Sequence, residues 1–96
     1  MIIAKELYYT HHDPRKYEDK KNTVYLCKKI DSKWDFDSIN SVRMELKREF
    51  HKRINTYNYG VILFERFSFG IFAVCKVTIG SKKEQVYREL GFKEEL

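Results

Sequence analysis

Apolar and polar residues alternate in two short runs of the N-terminal third, and each run predicts a β-strand. The first run, residues 2–10 (IIAKELYYT), alternates imperfectly. The second, residues 23–30 (TVYLCKKI), divides its residues between two sides, with Val24, Leu26 and Ile30 on one and Tyr25 and Cys27 on the other. The charged residues 11–22 between the runs are predicted to form a loop.

The strongest periodic pattern predicts an amphipathic helix of about five turns in the middle of the chain. Its apolar positions follow one another at helical spacings, at Ile39, Val42, Leu46, Phe50, Ile54 and Tyr57. Asp37 or Ser38 can accept hydrogen bonds from the free N–H groups of the first turn. We expect the helix to end near Asn58 or Gly60.

Two further apolar runs follow, residues 60–66 (GVILFER) and 70–79 (GIFAVCKVTI), and the short link between them predicts a β-hairpin. Alternate residues of the second run share a face, with Ile71, Ala73, Cys75, Val77 and Ile79 on one side and Phe72, Val74, Lys76 and Thr78 on the other. A short helix (SKKEQVYRELGF) is then expected between Ser81 and Gly91.

The order β-β-α-β-β-α predicts an α+β fold, a two-layer sandwich in which one long and one short helix pack on an antiparallel four-stranded sheet. With both helices on one face, we expect the other face to expose some of Tyr8, Tyr25, Phe64 and Phe72. The 96 residues, of which 43% are hydrophobic and 16% aromatic, suffice for one domain with one core, residues 1–96.

The net charge of +5 favours anionic partners, such as nucleic acid or an acidic protein surface. Cys27 and Cys75 fall in predicted strands without further ligands at zinc-finger spacing, so we expect buried free thiols and no structural metal. No segment approaches the ~20 apolar residues of a membrane span. Residues 1–9 do not resemble a signal peptide, so a cytoplasmic location is expected.

The chain carries no motif for nucleotide or cofactor chemistry, and no cofactor is predicted. None of its four glycines belongs to a GxGxxG or GxxxxGK[ST] motif. The C-terminal YRELGFKEEL resembles the closing helix–strand segment of acetyltransferases of the GNAT type. The glycine-rich turn that holds the coenzyme's pyrophosphate in that family is absent from the sequence, so the resemblance predicts no acetyltransferase activity.

His11, His12 and Asp13 are the residue types of a two-histidine, one-carboxylate metal site. Consecutive side chains of an extended segment point to opposite sides, so the two histidines are poorly placed to share an ion. We interpret the segment as a solvated loop. Metal binding, catalysis and partner contact are the alternatives.

One polar stripe of the predicted long helix consists of Lys47, Arg48, His51, Lys52 and Asn55. Such a stripe can lie against phosphates, with an affinity that falls as salt rises. The alternative is a solvated face on which Glu45 pairs with Arg48, and Glu49 with Arg53.

The predicted hairpin tip is rich in phenylalanine, because FERFSFGIF contains Phe64, Phe67, Phe69 and Phe72. A short tip cannot easily bury both Phe67 and Phe69. Exposed rings at such positions form interface hot spots or stack on unpaired bases. The alternative is that the tip folds back over the core.

Together these features favour a small non-catalytic binding protein that acts on a protein or nucleoprotein partner. The residues expected to bind that partner are Phe67, Phe69, Lys47, Arg48, His51 and Lys52. The Lys- and Tyr-rich composition is common in low-GC bacteria and their phages, which suggests an inhibitor or accessory factor of a nucleic-acid-handling system from a phage or mobile element.

Two other functions remain as hypotheses. The first is a direct nucleic-acid-binding protein that uses the basic helix. The second is a small toxin-like ribonuclease, with His51 as the base and Arg48, Arg53 or Arg66 on the phosphate.

Overall fold

The computed structural model describes residues 1–10 and 22–96. Within these ranges the chain forms three helices and three strands, in the order α1 (Ala4–Thr10), β1 (Thr23–Ile30), α2 (Phe36–Ile54), β2 (Ile62–Phe67), β3 (Gly70–Thr78) and α3 (Lys82–Glu89). The predicted α+β class is confirmed. The predicted loop at 11–22 lies, except for Asn22, outside the described residues.

β3 is the central strand of an antiparallel sheet with the order β1-β3-β2. Its residue Cys75 pairs with Leu26 of β1 and with Ile62 of β2. Because side chains alternate along a strand, the sheet carries one apolar cluster on each face. The predicted division of β1 and β3 residues between two sides is confirmed.

α2 and α3 cover the first face of the sheet and enclose the larger core cluster. Three buried rings meet there, since the centroid of Tyr87 lies 4.9 Å from that of Phe50 and 4.9 Å from that of Phe92. Rings of this size each remove on the order of 150–250 Å² from water. Their contact fixes the position of α3 and of the residues that follow it against α2.

The start of α2 lies earlier than its apolar pattern predicts. The N-cap residue is Asp35, not Asp37 or Ser38. The Asp35 carboxylate accepts a hydrogen bond from the backbone N–H of Ser38 at 2.8 Å and another from its hydroxyl at 3.1 Å. These bonds satisfy a donor of the first turn that would otherwise have no partner in the helix.

The end of α2 also lies earlier than predicted, at Ile54 and not near Asn58 or Gly60. Asn55 adopts the left-handed conformation, with φ 54°, and its N–H donates to the carbonyl of His51. Asparagine tolerates this conformation better than most residues. Tyr57, which the periodic pattern places on the core side, therefore lies beyond the helix and is exposed.

The predicted first strand is wrong, because residues 4–10 form α1 on the second face of the sheet. Ala4, Leu7 and Tyr8 are buried there, and their positions i, i+3 and i+4 share one side of a helix. The sheet of the described residues therefore has three strands instead of four. Helices lie on both of its faces, so the two-layer arrangement is not what the structure shows.

α1 also removes the exposed aromatic face that the sequence predicts. Tyr8, Tyr25 and Phe72 are buried in the cluster beneath α1. Phe64 is buried on the opposite face, against α2. The four aromatic residues thus belong to the core.

The C-terminal residues 93–96 hold α1 beside the sheet. Lys93 exchanges two backbone hydrogen bonds with Cys27 of β1, at 2.8 and 2.9 Å. Leu96 exchanges two more with Ile2, at 2.8 and 2.9 Å. The segment therefore connects the outer edge of β1 to the start of α1.

Candidate partner-binding surfaces

The four basic residues predicted on the long helix lie together on one exposed surface of α2. We call this surface the basic face, and it consists of Lys47, Arg48, His51 and Lys52. It points away from the sheet because Leu46 and Phe50 turn the opposite side of the helix towards the core. The predicted stripe therefore matches the placement of these four residues, whereas its fifth member, Asn55, lies beyond the helix as its C-cap.

Within the described residues, the cations of the basic face form few ion pairs, although Glu45 and Glu49 lie beside Arg48 and Lys52. Among residues 1–10 and 22–96, no carboxylate lies within ion-pair distance of Lys47 or Arg48, so the predicted Glu45–Arg48 pair is not formed. Lys52 lies 3.9 Å from Glu49, but its side chain is 76% exposed and the contact is weak. The surface is therefore electropositive and accessible.

Arg53 differs from its neighbours because two carboxylates hold it. Its guanidinium donates to Glu49 at 3.1 Å, as predicted, and to Glu89 of α3 at 2.6 Å. The hydrogen bond to Glu49, followed by that to Glu89, raises the pKa of Arg53 above its ordinary value. Arg53 thus connects α2 to α3 and is not available as the free phosphate-binding group of the ribonuclease hypothesis.

The imidazole of His51 stacks on the ring of Tyr57. Their centroids are 4.2 Å apart and their planes differ by 4°. Tyr57 is 57% exposed, so the stacked pair forms an open aromatic platform at the C-terminal end of the basic face. The early end of α2 at Asn55 brings Tyr57 back alongside the helix.

A groove at the N-terminal end of α2 was not predicted from the sequence. We call it the aromatic groove; it is lined by Trp34, Asp35, Phe36, Ile39, Arg43 and Phe64 and has a volume of about 270 Å³. Trp34 is 42% exposed and Phe36 is 77% exposed. The one available signal is DSKWDFDS, in which two large aromatic residues stand in a polar connection, outside any apolar period.

The hairpin tip forms a compact group of three rings, which we call the tip cluster: Phe67, Phe69 and Phe72. Phe67 and Phe69 stack with centroids 5.2 Å apart and planes 15° apart. Phe69 also lies 5.4 Å from the buried Phe72. The tip therefore folds partly back over the core, with Phe67 half-buried and Phe69 51% exposed.

The basic face and the tip cluster lie on opposite faces of the sheet. Phe67 and Phe72 pack in the cluster beneath α1, whereas α2 covers the other face. The aromatic groove, in contrast, is continuous with the basic face, since Arg43 lies one helical turn before Lys47 on the same side. A single flat partner surface can cover the groove and the basic face together, but not the tip cluster as well.

Cys27 and Cys75 are buried free thiols, as predicted, and they lie on opposite faces of the sheet. In the described part of the chain, no group of three His, Cys, Asp or Glu residues is arranged to hold a metal ion. The His11–His12–Asp13 segment lies outside the described residues. Arg66 is exposed near the end of β2 and is not part of the basic face of α2.

Comparisons with protein-family models, with curated proteins and with solved structures find no match to this chain. Of the helices within residues 1–10 and 22–96, none has the length and apolar character needed to cross a membrane.

Proposed function

We propose that the protein is a small non-catalytic binding protein that holds a protein or nucleoprotein partner against the exposed side of α2. The observation that carries this proposal is the joint exposure of large apolar side chains and of Lys47 and Arg48, which form no ion pair with any described residue. The apolar members are Trp34, Phe36, Met44 and Tyr57. Exposed rings and methionines beside arginine are typical of the central part of protein interfaces.

The charge of the surface indicates that its partner is anionic. Lys47 and Arg48 would gain carboxylate or phosphate partners on binding, and these interactions would become stronger as water is excluded. The same charges would accelerate association at low salt. We place this interaction in the cytoplasm, as an inhibitor or accessory factor of nucleic-acid-handling machinery from a phage or mobile element, on the basis of composition.

Charge reversal tests the proposed surface. The tagged protein and its Lys47→Glu/Arg48→Glu variant are used to capture the partner from a lysate of the source cells, and the bound protein and nucleic acid are quantified. The matched control is Lys82→Glu/Lys93→Glu, which changes the net charge equally at exposed positions elsewhere. We expect the first variant to lose the partner and the control to keep it. Equal capture by both variants would refute the proposed surface.

Direct binding of nucleic acid is the second candidate, and it is favoured because Lys47 and Arg48 form no ion pair within residues 1–10 and 22–96. Each phosphate that the protein neutralises releases a condensed counterion, so the logarithm of affinity should fall linearly with the logarithm of salt concentration. Replacing Lys47, Arg48 and Lys52 by alanine should reduce that slope by about one unit for each phosphate that is no longer neutralised. The absence of any band shift with DNA or RNA at low salt would rule this candidate out.

A further inference from the structure

The aromatic groove joins two kinds of contact that nucleic acids use, a ring surface and a guanidinium. Trp34 and Phe36 line it with exposed rings. Arg43 and Phe64 also line it, and the guanidinium carbon of Arg43 lies 4.7 Å from the ring centroid of Phe64. The guanidinium thus lies over the Phe64 ring, and in the described part of the chain no carboxylate forms an ion pair with it.

Among the described residues that line the groove, the one acid, Asp35, forms no ion pair with Arg43. Both oxygens of Asp35 accept hydrogen bonds from Ser38, one from its backbone and one from its hydroxyl. These hydrogen bonds lower the pKa of Asp35, and the one from the Ser38 backbone contributes most. The carboxylate therefore stays charged and remains the N-cap of α2. A phosphate is therefore expected on the Arg43 side of the groove, and an uncharged aromatic group beside Trp34 and Phe36.

We propose that the aromatic groove binds an unpaired base of a single-stranded nucleic acid, while the sugar–phosphate backbone of that strand follows Arg43 and Lys47 along α2. This inference rests on the proposed binding role of the exposed side of α2 and names the chemical component that it recognises. Stacking platforms combined with a basic track are the recurring means of binding single strands. The groove volume of about 270 Å³ suits a fragment the size of one base.

A duplex does not fit the arrangement as well. Bases in a duplex are stacked on one another and offer only their edges, whereas bases of a single strand can turn out and cover a ring. The groove presents exposed rings, not a row of hydrogen-bonding side chains for base edges. An acidic peptide could satisfy Arg43 and Lys47 but has no need for two exposed rings beside them.

The stacked pair of His51 and Tyr57 offers a second platform for the same strand. Arg43, Lys47 and His51 follow one another at intervals of four residues, which is about 6 Å along a helix. Phe36 and His51 are separated by about 22 Å along the axis at 1.5 Å per residue. A strand of a few nucleotides can therefore stack at both ends and place its phosphates between them.

The only tryptophan of the chain, Trp34, lines the groove and reports directly on its occupancy. Its fluorescence is titrated at low salt with a twelve-nucleotide dT strand, with the matching rU strand, and with a DNA duplex of the same length. We expect both single strands to quench Trp34 and to bind at least about fivefold more tightly than the duplex.

Single substitutions test whether the strand binds in the aromatic groove. Phe36→Ala is expected to weaken binding of the dT strand about fivefold or more, and its folding should be intact because this ring is largely exposed. Arg43→Ala is expected to weaken binding and to reduce its salt dependence. The control is Ile79→Ala, another exposed apolar residue outside the groove, which should leave affinity unchanged.

Two results would overturn the inference: no quenching by either single strand, or affinities that are equal for duplex and single strands and unaffected by Phe36→Ala. If these results appear while Lys47→Glu/Arg48→Glu still abolishes partner capture, the inference fails and the proposed function stands, with an acidic protein surface as the partner. If that charge reversal does not affect capture, the proposed function fails on its own test.

Discussion

The hydroxyl of Tyr87 donates a hydrogen bond to the backbone carbonyl of Tyr59, at a distance of 2.8 Å. Tyr87 belongs to α3 and is fully buried, whereas Tyr59 lies in the connection between α2 and β2. Burial raises the pKa of Tyr87 far above its ordinary value, so the hydroxyl remains a donor throughout the physiological range. The bond therefore fixes the connection that follows α2 against the core.

Removing this hydroxyl should destabilise the fold without altering its surface. Tyr87→Phe is expected to lower the free energy of unfolding by about 1–2 kcal/mol, because the carbonyl of Tyr59 loses its partner in a partly buried place. Urea denaturation followed by circular dichroism measures the change. Tyr57→Phe is the control, since that hydroxyl is on an exposed ring, and it should change stability by less than about 0.5 kcal/mol. Equal stability of the two variants would show that the hydrogen bond from Tyr87 to Tyr59 does not stabilise the fold.

The central strand β3 shows which parts of the fold could be predicted from local pattern. Its alternating residues fill both apolar clusters, and the period of two identified both faces correctly. The seven residues of α1 are too few for the period to decide, because Leu7 and Tyr9 fit a strand whereas Ala4, Leu7 and Tyr8 fit a helix. Tertiary contacts distinguish the two patterns: Ala4, Leu7 and Tyr8 pack together on the sheet, and the N–H of Ala4 donates to the carbonyl of Glu94.

The candidate site, too, could be predicted from the sequence only in part. The basic face follows from the helical period alone, so its residues could be named from the sequence. The aromatic groove requires Phe64 of β2 to meet Arg43 of α2, a contact between elements that no local pattern specifies. For the same reason, the separation of the tip cluster from the basic face depends on which face of the sheet α2 covers, and neither segment alone specifies that face.

Phe69 and Phe72 touch each other but should respond very differently to truncation. Phe72→Ala removes a fully buried ring and is expected to lower the free energy of unfolding by about 3–5 kcal/mol. Phe69→Ala removes a ring that is half exposed and should cost about 1 kcal/mol or less. Thermal or urea denaturation of both variants distinguishes them. If Phe69→Ala unfolds the protein as severely as Phe72→Ala, the tip cluster is purely structural.

A folded Phe69→Ala variant then tests the tip cluster as a binding surface. If this ring is an interface anchor, its removal should weaken partner binding by more than about 1 kcal/mol. Because the tip cluster and the basic face lie on opposite faces of the sheet, the effects of Phe69→Ala and Arg48→Ala on binding should add. Quantitative capture with the two single variants and the double variant measures this, and unchanged binding by Phe69→Ala would remove the tip cluster from the interface.

Gly70 is required by the geometry of the hairpin. It has φ 142°, and a Cβ atom at this position would lie 3.0 Å from Cε of Lys29 and 3.4 Å from the ring of Phe72. Gly70→Ala is therefore expected to lower the free energy of unfolding by about 1–3 kcal/mol. Gly80→Ala is the comparison, since φ is 80° there and an added Cβ meets nothing within 4 Å. Urea denaturation should find Gly70→Ala the less stable variant, and the reverse order would show that the turn relaxes freely.

Ionisation of the Cys27 thiol should make the free energy of unfolding depend on pH in the alkaline range. Burial raises the pKa of its thiol from the ordinary 9.0 to about 11. The folded protein therefore retains this proton more tightly than the unfolded chain does, and unfolding releases protons once the pH exceeds the unfolded value. The resulting stabilisation is fully present below pH 9.0 and is lost as the pH rises to about 11.

Cys27→Ala isolates this contribution. Alanine does not ionise, so between pH 9.0 and about 11 the free energy of unfolding of the variant should fall less steeply than that of the wild-type protein. Burial also raises the pKa of Cys75, so that thiol adds to the slope in both proteins and does not obscure the difference. Urea denaturation at a series of pH values gives the two slopes. Parallel slopes would mean that Cys27 ionises in the folded protein as readily as in the unfolded chain, which its burial beneath α1 opposes.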